Sequence, residues 1–359
     1  WSTCKRNYFL FVRKMEPLKF GIIGCSRIAK RSVIPAIIKS EYAELDMIGS
    51  RSTDKAKEFA KEFSCEKFGT YEDVISDDSI DAVYISTPIS THAEWSNKAT
   101  AAGKHVYVEK SSAAWLNQAQ KMVESAKENN VRLMEGFMFR FHPQHQKVKE
   151  LIKDGKIGEV KSFNGVFGFP AFPEGDIRYN NQIGCSEAAG GGFLLDSGCY
   201  PICASRMIFD EEPWGALGYK NMNGEKNESV DISGSAILLY ESGKTATISY
   251  INGSYYQAKY EVWGTDGVIS LDRAYSVPPD FTTKVTLQYN TENNWEGRRT
   301  ETFEIQPKDH FLEILDTFCL EITGRKKAPF DFEQELVNQA KTIAAVTLGG
   351  RFQRLSDIS

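Results

Sequence analysis

The stretch that decides the fold is Phe20-Gly-Ile-Ile-Gly-Cys-Ser-Arg-Ile-Ala29, an apolar run followed by a turn of small residues that opens a helix. A dinucleotide-binding turn needs small residues at three points, and Gly24, Ser26 and Ala29 hold those positions. The N–H groups at the start of the following helix favour an anion. Ser26 departs from the usual glycine, so an ordinary strand-to-helix turn is the alternative. The cofactor contacts predicted here are Gly24, Ser26, Arg27 and Ile28.

Strand and helix signals alternate around this turn. Buried strands are predicted at 20–24, 43–50, 82–86, 105–108 and 131–134, and amphipathic helices at 28–40, 54–63, 91–102 and 116–129. Parallel strands need crossover helices, so this order predicts a Rossmann domain, a parallel sheet covered on both faces, over residues 15–140.

The pattern changes beyond residue 156 to segments with a period of two. Strands are predicted at 159–168, 235–240, 245–250, 260–262, 268–272 and 284–289, and helices at 145–153, 192–209, 309–323 and 332–352. Aromatic and β-branched residues are frequent in the strands. We expect an α+β domain with a large, mostly antiparallel open sheet over residues 141–359, whose C-terminal helix packs back on the first domain.

Composition excludes several classes of function. The chain has 359 residues, 41% of them hydrophobic, which is enough for two cores, and a formal net charge of −5 with no long basic run argues against nucleic-acid binding. No apolar run approaches membrane-spanning length, so a cytoplasmic protein is expected. The seven scattered cysteines predict reduced thiols, and no ligand set predicts a metal. Residues 1–14 are interpreted as a non-structural extension before a natural start at Met15.

The end of the second predicted strand bears on cofactor choice. It reads Ile48-Gly-Ser-Arg-Ser-Thr-Asp-Lys55. An acidic residue at this place binds the ribose hydroxyls of NAD, whereas a 2′-phosphate needs cations and hydroxyl donors. Ser50 and Arg51 therefore favour NADP over NAD, although an arginine here is also compatible with a plain solvated position.

Three further motifs follow the turn in order: STPISTHAEW (86–95), AGKHVYVEK (102–110) and GGGFLLDSGCYP (190–201). With GIIGCSRIA, they resemble the glucose–fructose oxidoreductase / inositol dehydrogenase / rhizopine-catabolism superfamily over nearly everything from Leu18 onward. The segments MEGFMFRFHPQH (134–145) and GDIRY (175–179) are similar to the 3-ketosugar reductases of nucleotide-linked deoxysugar synthesis.

The resemblance implies a role for each motif. Residues beyond the strand at 82–86 lie along the cofactor, and Lys110, beyond the strand at 105–108, polarises the substrate oxygen. A lysine in a partly desolvated cleft shifts its pKa toward neutrality; the alternative is a surface lysine paired with Glu109. Relatives usually carry proline after this lysine, and Ser111 predicts a trans peptide bond instead. The implied cofactor contacts are Thr87, Pro88, His92, Glu109 and Lys110.

Tyr200 is the implied proton donor. Asp196 lies four residues earlier and so on the same helix face, where it orients the substrate or Lys110. A nearby lysine cation is expected to lower the pKa of the phenol. The alternative for Tyr200 is an aromatic residue of the core.

The substrate is predicted from the loop at 169–179 and from a neighbouring helix start. Aromatic residues and Arg178 suit a sugar or base and a diphosphate, with a surface arginine as the alternative. The expected activity is NADP-dependent reduction of a keto group on a nucleotide-linked deoxysugar, by a homodimer or homotetramer formed through the second sheet. Dehydrogenation of a free sugar or cyclic diol, and a non-catalytic NADP-binding regulator, are the alternatives. The predicted substrate contacts are Arg178, Tyr179 and His142.

Overall fold

The first sheet contains six parallel strands in the order β3-β2-β1-β4-β5-β6. The computed structural model describes residues 16–171, 190–223, 230–291, 297–348, 350 and 352–358. Strand order reverses beside β1, which lies between β2 and β4, and ligands bind in the crevice at such a switch point. The strands are β1 Leu18–Ile23, β2 Ala43–Gly49, β3 Lys67–Gly69, β4 Ala82–Ile85, β5 His105–Val108 and β6 Leu133–Glu135.

Helices cover this sheet as the alternation predicts. A π-helical turn, Ala29–Val33, leads into α1, and Ala29 and Val33 are buried against the sheet. The prediction missed β3 and α3, because β3 has three residues, two of them exposed. Thr70 and Asp73 form a capping box at the start of α3, a local signal that marks this helix. The helices are α1 Ile34–Lys39, α2 Thr53–Glu62, α3 Tyr71–Ser76, α4 Ile89–Ala101 and α5 Leu116–Glu128.

The second sheet has nine strands in the described residues, in the order β14-β13-β12-β11-β7-β10-β9-β8-β15. Neighbouring strands are antiparallel except for the parallel pair β7 and β10. The mostly antiparallel sheet is therefore confirmed. The strands are β7 Val160–Phe169, β8 Pro213–Asn223, β9 Val230–Tyr240, β10 Thr245–Asn252, β11 Gln257–Gly264, β12 Gly267–Leu271, β13 Thr283–Asn290, β14 Arg298–Ile305 and β15 Gln353–Arg354.

Three strands of this sheet were not predicted. The strand β8 contains Pro213, Gly215 and Gly218, which read as turn residues, and β14 is an exposed, charged edge strand without an apolar face. The short β15 lies where the sequence predicts the end of a helix at 332–352, a helix that in fact ends at Thr347. Tertiary pairing determines these strands more than local pattern does.

The remaining helices lie between and around the two sheets. They are α6 Pro143–Lys153, α7 Cys199–Phe209 with a preceding π-helical turn Leu194–Gly198, α8 His310–Ile322 and α9 Phe332–Thr347. Phe318 of α8 packs its ring 6.1 Å from that of Tyr107 on β5. Glu333 of α9 accepts the backbone N–H of Leu133 on β6 at 2.9 Å. The C-terminal helices thus contact the first sheet, and the boundary at residue 140 stays a prediction.

Two further observations concern the described residues alone. None of their helices combines the length and the apolar character needed to cross a bilayer. Their five cysteines, at positions 25, 65, 199, 203 and 319, form no disulfide.

Candidate active site

The turn after β1 is tied to the end of β4 by hydroxyl groups. Gly24 has φ of +115°, and a Cβ there would lie 3.1 Å from the carbonyl group of Ser86. The Oγ of Ser26 donates to the Oγ of Ser86 at 2.8 Å, which in turn donates to the carbonyl oxygen of Gly24 at 2.9 Å. Ser26 therefore uses its side chain to hold the turn closed, at the position where glycine is usual.

The end of β2 presents the residues expected at the cofactor 2′-phosphate. Ser50 is buried, and its backbone N–H donates to the carbonyl oxygen of Gly69 at 3.0 Å. Arg51 is exposed beside Tyr71, whose pKa is raised by burial while the Arg51 cation opposes the rise. Arg51 follows the carboxyl end of β2, which pairs in parallel with β1 and so ends at the same side of the sheet as the turn after β1. In the preceding turn Arg27 is exposed and Ile28 half-buried.

His92 joins the loops that follow β4 and β5. Its Nε2 lies 2.7 Å from the carbonyl oxygen of Thr87, and its Nδ1 lies 3.0 Å from that of Ser111. Burial lowers the pKa of His92 to about 4, so the ring is neutral at physiological pH. The side chain of Thr91 donates to the carbonyl oxygen of Pro88 at 2.8 Å and shapes the same loop. The structure thus places His92 inside the wall of the site, as a support for both loops.

Glu109 and Lys110 follow β5 and have different partners. Tyr84 donates its hydroxyl to Oε1 of Glu109 at 2.7 Å, and burial raises the pKa of this carboxyl group. Lys110 instead donates from Nζ to Oδ1 of Asp196 at 2.9 Å and to the backbone carbonyl oxygen of Asp196 at 2.6 Å. The alternative of a surface lysine paired with Glu109 is therefore wrong.

The Lys110 side chain is only 13% exposed, and its ammonium group forms an ion pair with the carboxylate of Asp196. Burial by itself lowers the pKa of Lys110, but the carboxylate of Asp196, aided by Tyr200 and Cys199, outweighs burial and raises the pKa above its ordinary value. The expected shift toward neutrality is wrong, because the desolvated cleft supplies an ion-pair partner. Lys110 is a permanent cation in this site.

The loop after Lys110 is held from several elements. The peptide bond between Lys110 and Ser111 is cis, so the expected trans bond is wrong. The hydroxyl of Ser111 donates to the carbonyl oxygen of Leu195 at 3.0 Å, and the N–H of Ser112 donates to Oε1 of Glu135 at 2.7 Å. These two hydrogen bonds and the contact between His92 and the carbonyl oxygen of Ser111 fix the loop, although position 111 is not a proline. They also place Lys110 directly opposite the segment that carries Asp196.

Tyr200 begins α7 and lies beneath Lys110. The Nζ of Lys110 is 5.1 Å from the centre of the Tyr200 ring, so Asp196 and Tyr200 share one helix face as predicted. The Tyr200 ring packs against several aromatic rings at centroid distances of 5.1 to 5.9 Å. The alternative interpretation, an aromatic residue of the core, therefore also describes the surroundings of Tyr200. These neighbours are Phe137, Phe139, Phe167 and Tyr275.

The ionisation of Tyr200 differs from the expectation. Burial raises the pKa of the phenol, and the Lys110 cation lowers it as expected but offsets only part of this rise, so the net pKa lies above its ordinary value. Its hydroxyl lies 4.0 Å from Sδ of Met138, a weak acceptor. Tyr200 thus keeps its proton at neutral pH, and its hydroxyl has no stronger acceptor than Met138 among the described residues, which suits a proton donor.

Two supporting carboxylates were missed by the sequence analysis. Asp231 of β9 accepts the N–H of Leu194 at 2.6 Å, and a Cβ at position 192 would lie 2.1 Å from its Oδ1, which explains the glycine there. Glu135 ends β6, and burial raises its pKa to about 7. Each reaches the site across a long sequence separation, so no local motif marks it.

The predicted substrate residues are not gathered with this cluster. His142 is buried at the start of α6, where burial lowers its pKa to about 4 and its ring lies 5.8 Å from that of His310. No contact in the described residues joins His142 to Lys110 or Tyr200. Arg178 and Tyr179 lie outside the described residues. In the part of the chain that is described, no group of three histidine, cysteine or acidic residues is arranged to hold a metal.

The six-stranded parallel sheet and the nine-stranded, mostly antiparallel sheet define a dinucleotide-binding oxidoreductase fold, in which Lys110 lies over the ring of Tyr200. The chain belongs to the GFO/IDH/MocA family. Residues 18–137 match the oxidoreductase family with an NAD-binding Rossmann fold, and residues 145–270 match the GFO/IDH/MocA C-terminal domain.

Similar proteins include sugar-modifying enzymes. A dTDP-3,4-didehydro-2,6-dideoxy-alpha-D-glucose 3-reductase from Actinomadura kijaniata is 33% identical, with 94% of this chain and 96% of the relative covered. A D-xylose 1-dehydrogenase (NADP(+)) from Haloferax volcanii is also 33% identical, with 92% and 96% covered.

Solved structures of KijD10, a 3-ketoreductase from Actinomadura kijaniata, share the fold. Its complex with NADP and TDP-benzene aligns with a TM-score of 0.82 at 33% identity, covering 93% of this chain and 98% of that one. Further structures of KijD10 carry a tyrosine-to-phenylalanine or a lysine-to-alanine substitution.

Proposed function

We propose that this protein uses NADPH to reduce a keto group on a nucleotide-linked deoxysugar. The observation that carries the proposal is the placement of a lysine cation over a protonated tyrosine in a buried cleft beyond β5. The related reductase and the NADP and TDP-benzene complex of KijD10 support this substrate class.

The residues around the switch point fit NADP(H). Gly24 leaves open the space that a Cβ would fill beside Ser86, which allows the tight turn that precedes the pyrophosphate position. The exposed Arg51 and the adjacent Ser50 supply a cation and a hydroxyl for a 2′-phosphate. The same residues offer no carboxylate for a free ribose diol, so they favour NADP over NAD.

The chain's own residues perform the acid/base part of the reaction. A bound NADPH would provide the hydride for the carbonyl carbon. Lys110 donates a hydrogen bond to the carbonyl oxygen and stabilises the negative charge that develops there. Tyr200 transfers its phenolic proton to this oxygen, which completes the alcohol. Asp196 holds the ammonium group of Lys110 in place and keeps it charged.

A second candidate within the same family is the oxidation of a free sugar. The D-xylose dehydrogenase supports it, since it matches this chain over nearly its whole length. Such an enzyme needs the same lysine and tyrosine and differs in the loops that receive the substrate. A non-catalytic regulator, the alternative of another class, has no need of a buried acid/base pair.

The test is a panel of substrates assayed by NADPH consumption. We expect turnover with a dTDP-linked 3-ketodeoxysugar and little with free ketosugars, while D-xylose and cyclic diols give little NADP⁺ reduction. Equal or faster reaction of a free sugar contradicts the proposed substrate class. Tight NADPH binding with no turnover of any compound instead supports a regulator.

Assembly and location belong to the same proposal. A homodimer or homotetramer through the second sheet is supported by Leu217 and Ile237, paired neighbours on β8 and β9 that are each 43% exposed, and by Tyr219, which is 67% exposed. Apolar side chains grouped on one sheet face favour association. We place the enzyme in the cytoplasm, in keeping with its free cysteines.

A further inference from the structure

A strip of aromatic rings leads from Tyr200 to a second cation, Arg273. The Phe167 ring lies 5.1 Å from that of Tyr200, and the Tyr256 ring lies 6.5 Å from that of Phe167. The guanidinium carbon of Arg273 lies 5.1 Å from the centre of the Tyr256 ring. Arg273 is therefore connected to the proton donor by contacts between successive side chains.

This strip follows the edge of the second sheet at which the predicted substrate loop begins. Phe167 and Phe169 are near the end of β7, and their rings are 4.5 Å apart. Gln257 of β11 pairs with Gly168, which brings Tyr256 beside the end of β7. Arg273 thus lies beside the end of β7, at the outer end of the row of rings that begins at Tyr200.

The charge of Arg273 lacks a counterion in the described residues. Its Nε is buried and has no hydrogen-bond partner there, and no carboxylate forms an ion pair with it. The guanidinium instead lies 5.1 and 5.3 Å from the ring centres of Tyr256 and Phe281. The carbonyl oxygen of Arg273 accepts from Nε2 of Gln144 at 3.0 Å, which fixes its backbone.

An arginine in this state is suited to an anionic ligand. Leaving the buried Nε–H of Arg273 without an acceptor is unfavourable, and a ligand oxygen that accepts from it removes that cost. The planar fork of arginine matches two phosphate oxygens. Most of the strip is half-buried, so it is open at its outer end: Phe169, Tyr256 and Arg273 are partly exposed and Phe281 is exposed.

We propose that Arg273 binds the diphosphate of the nucleotide-linked substrate, at the outer end of the strip formed by Phe167, Phe169 and Tyr256. This inference rests on the proposed function, because it assigns the charged part of that same substrate. It gives the enzyme a way to prefer a nucleotide-linked sugar over a free one.

The experiment measures the binding of thymidine diphosphate and of thymidine to the NADP⁺-bound protein by calorimetry. Arg273→Ala is expected to lower the affinity for thymidine diphosphate about 10- to 100-fold, the usual effect of losing a charged hydrogen bond. Thymidine, which has no phosphate, is expected to bind equally to both proteins. Arg273→Lys keeps the positive charge but not the planar guanidinium, so its affinity for thymidine diphosphate should lie between those of the wild type and Arg273→Ala. The lysine variant also serves if the alanine variant fails to fold.

Arg354→Ala is the matched control. Arg354 also lies over an aromatic ring, 5.6 Å from the centre of Trp214, but on β15 at the opposite edge of the sheet from β14. Its removal should leave the affinity for thymidine diphosphate unchanged.

The outcomes separate this inference from the proposed function. Unchanged affinity for thymidine diphosphate in both Arg273 variants overturns the role of Arg273, as does an equal loss for thymidine and thymidine diphosphate. If the wild-type protein binds no thymidine diphosphate yet reduces a free ketosugar, the substrate class of the proposed function fails instead.

Discussion

The cofactor turn and the catalytic cluster are built in different ways. The turn joins Ser26, Ser86 and Gly24 by hydroxyl hydrogen bonds, and Arg51, the residue proposed to bind the 2′-phosphate, is exposed. The cluster pairs Lys110 with Asp196, 86 residues away, in a partly buried ion pair above the buried phenol of Tyr200. Exposure lets the turn bind a cofactor reversibly, whereas burial gives the cluster its fixed charges. Changes in the turn should therefore affect binding, and changes in the cluster should affect turnover.

The largest effect is expected from the cluster. Lys110→Ala and Tyr200→Phe should each lower kcat by about 10²- to 10⁴-fold, the usual contribution of a positioned proton-transfer group. The hydrogen bonds of these side chains go to Asp196 and Met138 and not to the turn, so the dissociation constant for NADPH should change little. Steady-state kinetics and NADPH fluorescence titration measure the two quantities.

Lys98→Ala provides the control for the lysine. Lys98 also lies over an aromatic ring, 4.1 Å from the centre of Trp95, but it is exposed and pairs with Glu94 on the same helix. Its loss should leave kcat unchanged. If Lys110→Ala behaves like Lys98→Ala, the cluster has no role in turnover.

A smaller effect, on cofactor choice, is expected at the end of β2. Arg51→Ala should lower the affinity for NADPH about 10- to 100-fold and leave the affinity for NADH the same, because only NADPH carries the 2′-phosphate. Arg31→Ala removes another exposed arginine near the turn and serves as the control. An unchanged ratio of the two affinities would show that Arg51 is simply solvated.

The smallest effect is expected from the hydroxyl bonds of the turn. Ser86→Ala removes the hydrogen bonds to Ser26 and Gly24. The affinities for NADPH and NADH should both fall by about 2- to 10-fold. Ser96→Ala is matched to it, since Ser96 is also a buried serine but its hydroxyl has no partner in the described residues. A loss of affinity for NADPH alone would show that Ser86 acts on the 2′-phosphate instead.

Much of the fold was predictable because its signals are local. The glycine turn, the alternation of strands and helices and the change to a period of two each depend on neighbouring residues, and the structure confirms both sheets. The strands that were missed lack such signals: β3 is very short, β8 contains proline and glycine, and β14 is charged along its length.

The site was predictable in its members but not in its ionisation. The motifs identified Lys110, Asp196 and Tyr200, and the structure brings them together. The pKa of Lys110 is raised instead of lowered, and at Tyr200 burial outweighs the expected lowering by the Lys110 cation. Burial and the ion pair depend on tertiary packing, which a motif does not describe. Asp231, Glu135 and Arg273 were missed for a similar reason, since each reaches the site from a distant strand or loop.

The most direct test is a single-turnover measurement of NADPH oxidation at saturating NADPH and substrate, with the wild type, Lys110→Ala and Arg51→Ala compared. Arg51→Ala should retain the wild-type rate constant once the cofactor is saturating, and Lys110→Ala should be slower by at least about 100-fold. A wild-type rate constant in Lys110→Ala, with only a weaker affinity for substrate, would contradict the assignment of the buried cluster to turnover.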